Sequence, residues 1–255
     1  RILDKHALTD QMASLTLDSL GFDADMMRQI RRLAREPYGM LLVTGPTGSG
    51  KTTTLYAAIS EVNTGKDKII TIEDPVEYQL PDVLQIPVNE KKGLTFAIGL
   101  RSILRHDPDK IMVGEIRDGE TAQIAIQSAL TGHLVFSTVH ANSAFDVISR
   151  FQHMGVVPGS FVGAINGILA QRLIRLNCPH CRVDVQPDPG LIADSGIKAS
   201  VAAEFNFRQG AGCPQCRGTG YKGRKAIVEL LRLTEELREL ITVGAPTRQL
   251  REEAA

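Results

Sequence analysis

The chain has 255 residues, room for one large domain or a domain with a small appendage, and its 43% hydrophobic and 23% charged residues exclude a disordered or fibrous class. Equal totals of 29 basic and 29 acidic residues leave no net formal charge, which argues against a protein that coats nucleic acid through general electrostatics. No apolar run reaches the roughly 18 residues of a membrane helix and no signal-peptide pattern opens the sequence, so any membrane association is expected to run through partners.

The sequence opens on Arg1 rather than Met and is read as a piece of a longer protein. Residues 1–22 hold scattered apolar positions without a period and are read as a remnant of, or linker from, a preceding domain. From Asp25 the pattern turns helical: Met26, Met27, Ile30 and Leu33 share one face, Arg28, Arg31, Arg32 and Arg35 the other, until Pro37 stops it. The arginines read as a solvated face, with a partner or a neighbouring subunit's nucleotide as the functional alternative.

Met40–Thr44 is a short apolar strand and Thr53–Ile59 the start of a helix. Between them lie Gly45, Pro46, Thr47, Gly48, Ser49, Gly50, Lys51 and Thr52, which fit G-x-x-x-x-G-K-[ST] in the strand–helix frame a phosphate-binding loop requires. Glycines let successive N–H groups turn inward around phosphate oxygens, and the helix N-terminus adds positive partial charge. Lys51 is expected to reach the β- and γ-phosphates of ATP, Thr52 to ligate Mg2+, and Thr53 to continue the nucleotide-binding turn.

Next, Lys68–Ile72 is a β-branched strand that ends in Glu73, Asp74 and Glu77, and residues 83–88 form a short extended piece. A helix over 94–104 carries Arg101 and Arg105 one turn apart. The apolar strand Ile111–Val113 again delivers a carboxylate, Glu115, followed by Arg117. A helix over 118–130 and a strand over 134–139 complete the alternation, with His133 and His140 flanking the strand on an odd spacing. Strands alternating with helices imply βαβ units and a mainly parallel sheet. From Ser143 the strands are expected to give way to helices over 144–154 and 160–173, with a last strand over 226–231 and helices over 235–241 and 247–253.

Triphosphate hydrolysis needs phosphate binding, Mg2+, a group that aligns water and positive charge for the transition state. In an open α/β sheet the ligand lies at the carboxyl ends of the strands, where these acids fall. Glu115 suits the Mg2+ shell or its water, although a Gly–Glu pair stands where most phosphate-loop enzymes place Asp directly after the apolar run. Glu73 suits the base that orients water. Cap or surface ion-pair roles compete for each acid, satisfied-core roles for His133 and His140, and surface salt bridges for Arg101, Arg105 and Arg117. The four cysteines fall as Cys178-x-x-Cys181 and Cys213-x-x-Cys216. In a chain without a secretion signal that pattern favours a closed structural Zn2+ site over an iron–sulfur centre, free thiols or disulfides.

Taken together, Gly45–Thr52, Ile72–Glu77, Val113–Asp118 and Thr131–His133 through His140–Asn142 resemble the Walker A, Asp box, atypical Walker B and His box of the secretion ATPases. Leu169–Leu173 and the paired cysteines narrow the resemblance to the extension side, the type II secretion and type IV pilus assembly ATPases. The resemblance implies a RecA-like α/β core over 23–176, a tetracysteine zinc module over 177–224, and a C-terminal strand and helices over 225–255 that pack on the core. It implies a homo-hexamer at the cytoplasmic face of the bacterial inner membrane, in which ATP hydrolysis moves a membrane platform protein to add pilin subunits, without direct nucleic-acid contact. By motif it gives Lys51 and Thr52 to phosphate and Mg2+, Glu115 to the Mg2+–water shell and Glu73 to the base. His133 and His140 would sense the γ-phosphate, and Arg101, Arg105 and Arg117 match the family's nucleotide and inter-subunit arginines. The N-terminal domain that closes over the nucleotide in this family is expected to be missing here apart from its last residues, and the end at Ala255 reads as truncated. A DNA-translocating motor fits less well, given neutral charge and 5% aromatic residues. A nucleotide-sensing scaffold without turnover is opposed by the presence of both Glu73 and Glu115.

Overall fold

The computed structural model describes residues 15–254, so most of the expected N-terminal remnant lies outside the described residues. Its last part forms a single 3-10 turn, Leu17–Leu20, whose Leu17 is fully buried. The chain divides into two compact units, one of residues 15–172 and 226–254 and one of Leu173–Lys225.

In the larger unit, helix α1 (Ala24–Ala34) starts where Asp23 accepts from Met26 N–H. It is followed by β1 (Gly39–Thr44), α2 (Lys51–Val62), β2 (Ile69–Glu73) and β3 (Leu84–Pro87). Then come α3 (Phe96–Ile103), β4 (Lys110–Val113), α4 (Gly119–Leu130), β5 (Leu134–Val139), α5 (Ala144–His153) and α6 (Pro158–Ala164). Strand β6 (Ile165–Asn177) leads into the cysteine segment, which holds β7 (Arg182–Asp184), α7 (Pro189–Asp194), α8 (Ala199–Ala202) and β8 (Arg208–Gly210). Strand β9 (Tyr221–Arg232) and helices α9 (Glu235–Thr242) and α10 (Thr247–Glu253) close the chain.

The sheet runs β3-β2-β4-β5-β1-β6-β9, and every pair from β3 to β6 is parallel. Parallel strands are covered on both faces, so their sequences read as apolar runs rather than alternations. Here β1 and β5 are buried at every position. Successive residues still point to opposite sides. Met40 and Leu42 join one core layer with residues of α3, α4, α5, α6, α9 and α10, whereas Leu41 and Val43 join the other with α1 and α2. Because the registers align Thr44 with Val139, Val113 with Ser137 and Ile72 with Val113, the ends of β1, β5, β4 and β2 fall at one edge.

One expectation fails. The stretch from Ser160 is helical only to Ala164, and Ile165–Asn177 is a strand beside β1, so strands do not stop at Ser143. Ile165, Ile168 and Leu169 have the i, i+3, i+4 spacing of a helix face, but in the strand they fill both layers, Ile165 and Ile168 one and Leu169 the other. Gly167 makes the strand possible beneath α1, since a Cβ there would lie 2.7 Å from Leu33 Cδ1.

Candidate functional site

The loop of residues 45–50 leaves the end of β1 and enters α2. Gly45 (φ +141°) allows this departure; a Cβ would stand 2.2 Å from Gln171 O and 2.9 Å from Ser49 Oγ. Gly50 occupies the N-cap of α2 at φ 87°, with no side chain bonded to the first-turn N–H groups. An uncapped helix start presents these donors, and the positive end of the helix dipole, to an anion. Pro46, Thr47 and Gly48 are exposed; Ser49 is buried, and its Oγ has no hydrogen-bond partner among the described residues. Lys51 Nζ donates to Gly45 O at 2.9 Å and Pro46 O at 3.1 Å, folding over the loop's own carbonyls. Burial lowers its pKa, opposed by the Glu115 carboxylate. Thr52 and Thr53 are partly exposed in the first turn. This cradle suits a phosphate chain: free N–H donors, one cation and a spare hydroxyl, with no acid inside the loop.

Glu115, just beyond β4, is the acid that meets this cradle. Its side chain is 12% exposed, with Oε1 2.8 Å from His140 Nε2 and Oε2 2.5 Å from Arg117 Nε. Arg117 also reaches Asp74 at 3.4 Å. The two carboxylates raise its guanidinium pKa, Glu115 foremost. Strand ends of β2, β4 and β5 thus contribute Asp74, Glu115 and His140 to one chain of polar contacts, joined by Arg117, beside the loop.

Four expected members lie outside this chain of contacts. Glu73 is 2% exposed; Thr71 Oγ1 (2.6 Å) and Gln85 Nε2 (3.0 Å) donate to Oε1, and the Tyr56 hydroxyl donates to Oε2. Burial and this carboxylate push the Tyr56 pKa up, so the phenol stays a donor. Both oxygens of this enclosed carboxylate therefore accept hydrogen bonds from neighbouring side chains. His133 precedes β5 and His140 follows it, so six strand residues, about 20 Å at the usual rise, separate them. His133 Nδ1 contacts Ser128 O at 3.0 Å, and the residue lines a cavity of about 550 Å³ with Arg35, Asp67 and Lys110. It lies at the opposite edge of the sheet from the loop. Arg101 is exposed and pairs with Glu120 at 2.7 Å, and Arg105 is exposed on the turn after α3.

A residue that sequence reasoning left unassigned, Gln171, closes the site from β6. It is 3% exposed, donates from Nε2 to Ser49 O at 2.7 Å and accepts from Thr54 Oγ1 at 2.7 Å, tying loop and helix together. The signals for it were a polar residue after the apolar Leu169-Ala170 pair and its place in the Leu169–Leu173 stretch that carries the family resemblance.

In the smaller unit, antiparallel β7 and β8 bring the two C-x-x-C turns together. The four Sγ atoms lie within 4.8 Å of one another, with Cys178–Cys213 and Cys181–Cys216 at 3.9 Å and Cys213–Cys216 at 3.7 Å. Tetrahedral Zn–S bonds of 2.3 Å would set sulfur atoms about 3.8 Å apart. The donor set therefore fits Zn2+ and leaves no position for substrate. Burial pushes the Cys181 thiol up to about 12. At Cys216 burial acts in the same direction, but backbone N–H groups of Cys213 and Gly220 outweigh it and bring the thiol to about 6. His180 is exposed and outside the cluster.

The sequence profile of the "Type II/IV secretion system protein" family matches residues 1–255. The chain belongs to this family. It is 47% identical over 254 residues to the type II secretion system protein HxcR of Pseudomonas aeruginosa, covering 100% of this chain and 49% of that protein. To the type IV pilus assembly ATPase PilB of Myxococcus xanthus it is 45% identical over 255 residues, covering 100% and 44%. Among solved structures, that of the pilus retraction motor PilT with bound ADP superposes with a TM-score of 0.66 at 31% identity, covering 93% of this chain and 57% of PilT. This family member thus spans about half the length of the curated relatives it matches. Among the described residues no helix is long and apolar enough to cross a membrane.

Proposed function

We propose that this chain is the ATP-hydrolysing core of a motor that assembles type IV pili or type II secretion pseudopili. The observation that carries this reading is Glu115, held by His140 and Arg117 and close enough to Lys51 to oppose the lowering of its pKa by burial. It is supported by the uncapped start of α2 and by relatives named as secretion proteins and pilus ATPases.

In this reading the loop N–H groups and Lys51 grip the β- and γ-phosphates, and Gln171 keeps the loop in register with α2. Thr52 and Glu115 would hold Mg2+, which when bound neutralises charge across the phosphates. Through its contact with Glu115, His140 would sense the γ-phosphate, and the pair would orient water. Glu73 serves as an anchor: its carboxylate ties Tyr56 of α2 and Gln85 of β3 to the strand whose next residue, Asp74, engages Arg117. Arg101 and Arg105, exposed on and after α3, are available to a neighbouring copy, in keeping with a homo-hexamer in which charge for the transition state comes partly from the next subunit. The motor works at the cytoplasmic face of the inner membrane against a platform protein, and Zn2+ on Cys178, Cys181, Cys213 and Cys216 is structural.

The test is ATP turnover by the full-length protein. Lys51→Ala and Glu115→Gln are each expected to cut turnover at least about 100-fold, because each removes charge that acts mainly in the transition state. Glu73→Gln should cost less, and chiefly in stability. Unchanged turnover in Lys51→Ala would remove the basis of the reading.

A further inference from the structure

Thr44 is the last residue of β1 and immediately precedes the first glycine of the loop. It is fully buried and is the register partner of Val139, the last residue of β5. The paired register of the two strands stops there. Yet the contact continues through a side chain: Thr44 Oγ1 lies 2.8 Å from Val139 O, 2.9 Å from Ala141 O and 3.1 Å from Ala141 N. A hydroxyl has one proton and two lone pairs. It therefore donates to one of the two carbonyls while accepting the Ala141 N–H. These contacts bracket His140 on both sides, and His140 Nε2 stands 2.8 Å from Glu115.

The opposite flank of that acid is held in the same manner. Thr138 Oγ1 donates to Gly114 O at 2.7 Å, and Ile116 N donates to Thr138 O at 2.9 Å, fixing the residues before and after Glu115 to β5. Past the strand ends few main-chain bonds remain, such as Ile116 N to Thr138 O, and the Thr44 and Thr138 hydroxyls add side-chain ties between the loops there. Of these, only Thr44 touches both the phosphate loop's base and the His140 turn.

We infer that Thr44 is a positioning residue, whose hydroxyl fastens the His140 turn to the start of the phosphate loop and so keeps His140 on Glu115. The inference rests on the proposed ATPase reading only for its kinetic consequence. Valine has nearly the shape of threonine and lacks the hydroxyl, while serine keeps it. Misplacing a catalytic contact by about 1 Å costs on the order of a hundredfold in rate.

The experiment uses isotope-labelled histidine in the 255-residue chain, with ring nitrogen signals of wild type, Thr44→Val and Thr44→Ser compared and His140 assigned through its loss in His140→Gln. Thr44→Val is expected to move the His140 signal and leave that of His133, at the far edge of the sheet, in place; Thr44→Ser should keep both. In the full-length protein Thr44→Val should lower kcat about 10- to 100-fold with KM within about twofold, and Thr44→Ser should restore most of the rate. An unmoved His140 signal in Thr44→Val overturns the inference, as does equal movement of both histidines, which would mean general loosening. If wild-type protein does not hydrolyse ATP, the functional reading fails, and the ring signals still decide the role of Thr44.

Discussion

Lys51 sits between two opposing influences. Burial lowers its pKa, and the Glu115 carboxylate raises it. A lysine binds phosphate in its charged form, which exists below its pKa. Glu115→Gln removes the upward influence, so the pKa falls further and the charged form is lost at lower pH. The alkaline limb of nucleotide binding, followed with a fluorescent ATP analogue, should therefore move to lower pH in Glu115→Gln; a limb that stays put or moves up would contradict the electrostatic contact. Gln171 offers a second test at this scale. Gln171→Leu leaves Ser49 O and the Thr54 hydroxyl without their buried partner, at a cost of about 1–3 kcal/mol for unpaired groups. Thermal unfolding should register that loss, and nucleotide affinity should fall with it. The loop itself was readable because its chemistry is local, eight consecutive residues between a strand and a helix. Gln171 was not, because its partners stand 117 and 122 positions away. The surroundings of Glu73 were hidden for a related reason: its place at a strand end was legible, whereas Tyr56 and Gln85, which enclose it, come from other elements.

Among the elements, β6 is where sequence periodicity and structure part. Its apolar spacing imitates a helix, and the pairing with β1 and β9, both distant in sequence, makes it a strand. The distinction is measurable at two glycines. Gly159, in the first turn of α6, has nothing within 4 Å of an added Cβ, so Gly159→Ala should stabilise by about 0.4–1 kcal/mol, as in any helix. Gly167 lies under Leu33, and Gly167→Val should destabilise by about 1–3 kcal/mol through overpacking. Were residues 160–173 a helix throughout, the second change would be nearly harmless. Denaturant titration of both variants, read at constant slope, separates the two cases. The histidines teach the complementary lesson. A strand of six residues already places its flanking positions at opposite edges of a sheet, so the separation of His133 from His140 was within reach of the sequence, and it was the family motif that drew them together.

At the scale of the molecule, the chain consists of two compact units whose means of support differ. Residues 15–172 and 226–254 enclose two apolar layers around a seven-stranded sheet. Leu173–Lys225 has a two-stranded sheet and short helices, with exposed Leu191, Val201 and Phe205, and is too small to rely on a core. Metal binding is folding energy in such a unit. Native mass spectrometry should find one Zn2+ per chain. Chelation, or Cys213→Ser, should open residues 182–213 to proteolysis while the sheet's thermal transition persists. A metal-free smaller unit that resists protease equally well would show that the thiol cluster is not its support.

The phosphate loop hangs from β1, which is flanked by β5 and β6 and buried at all six of its positions. In amide hydrogen exchange such a strand belongs among the last to open, at the free energy of global unfolding. The loop, tied to β6 through Gln171, and the His140 turn, tied to the end of β1 through Thr44, can then open without it. Nucleotide addition should slow exchange at residues 45–54 and 140–142 while leaving Gly39–Val43 as slow as before. The site is thereby a rim on a buried base: ligand binding should be read as a change in local protection, with the strand beneath it as the reference.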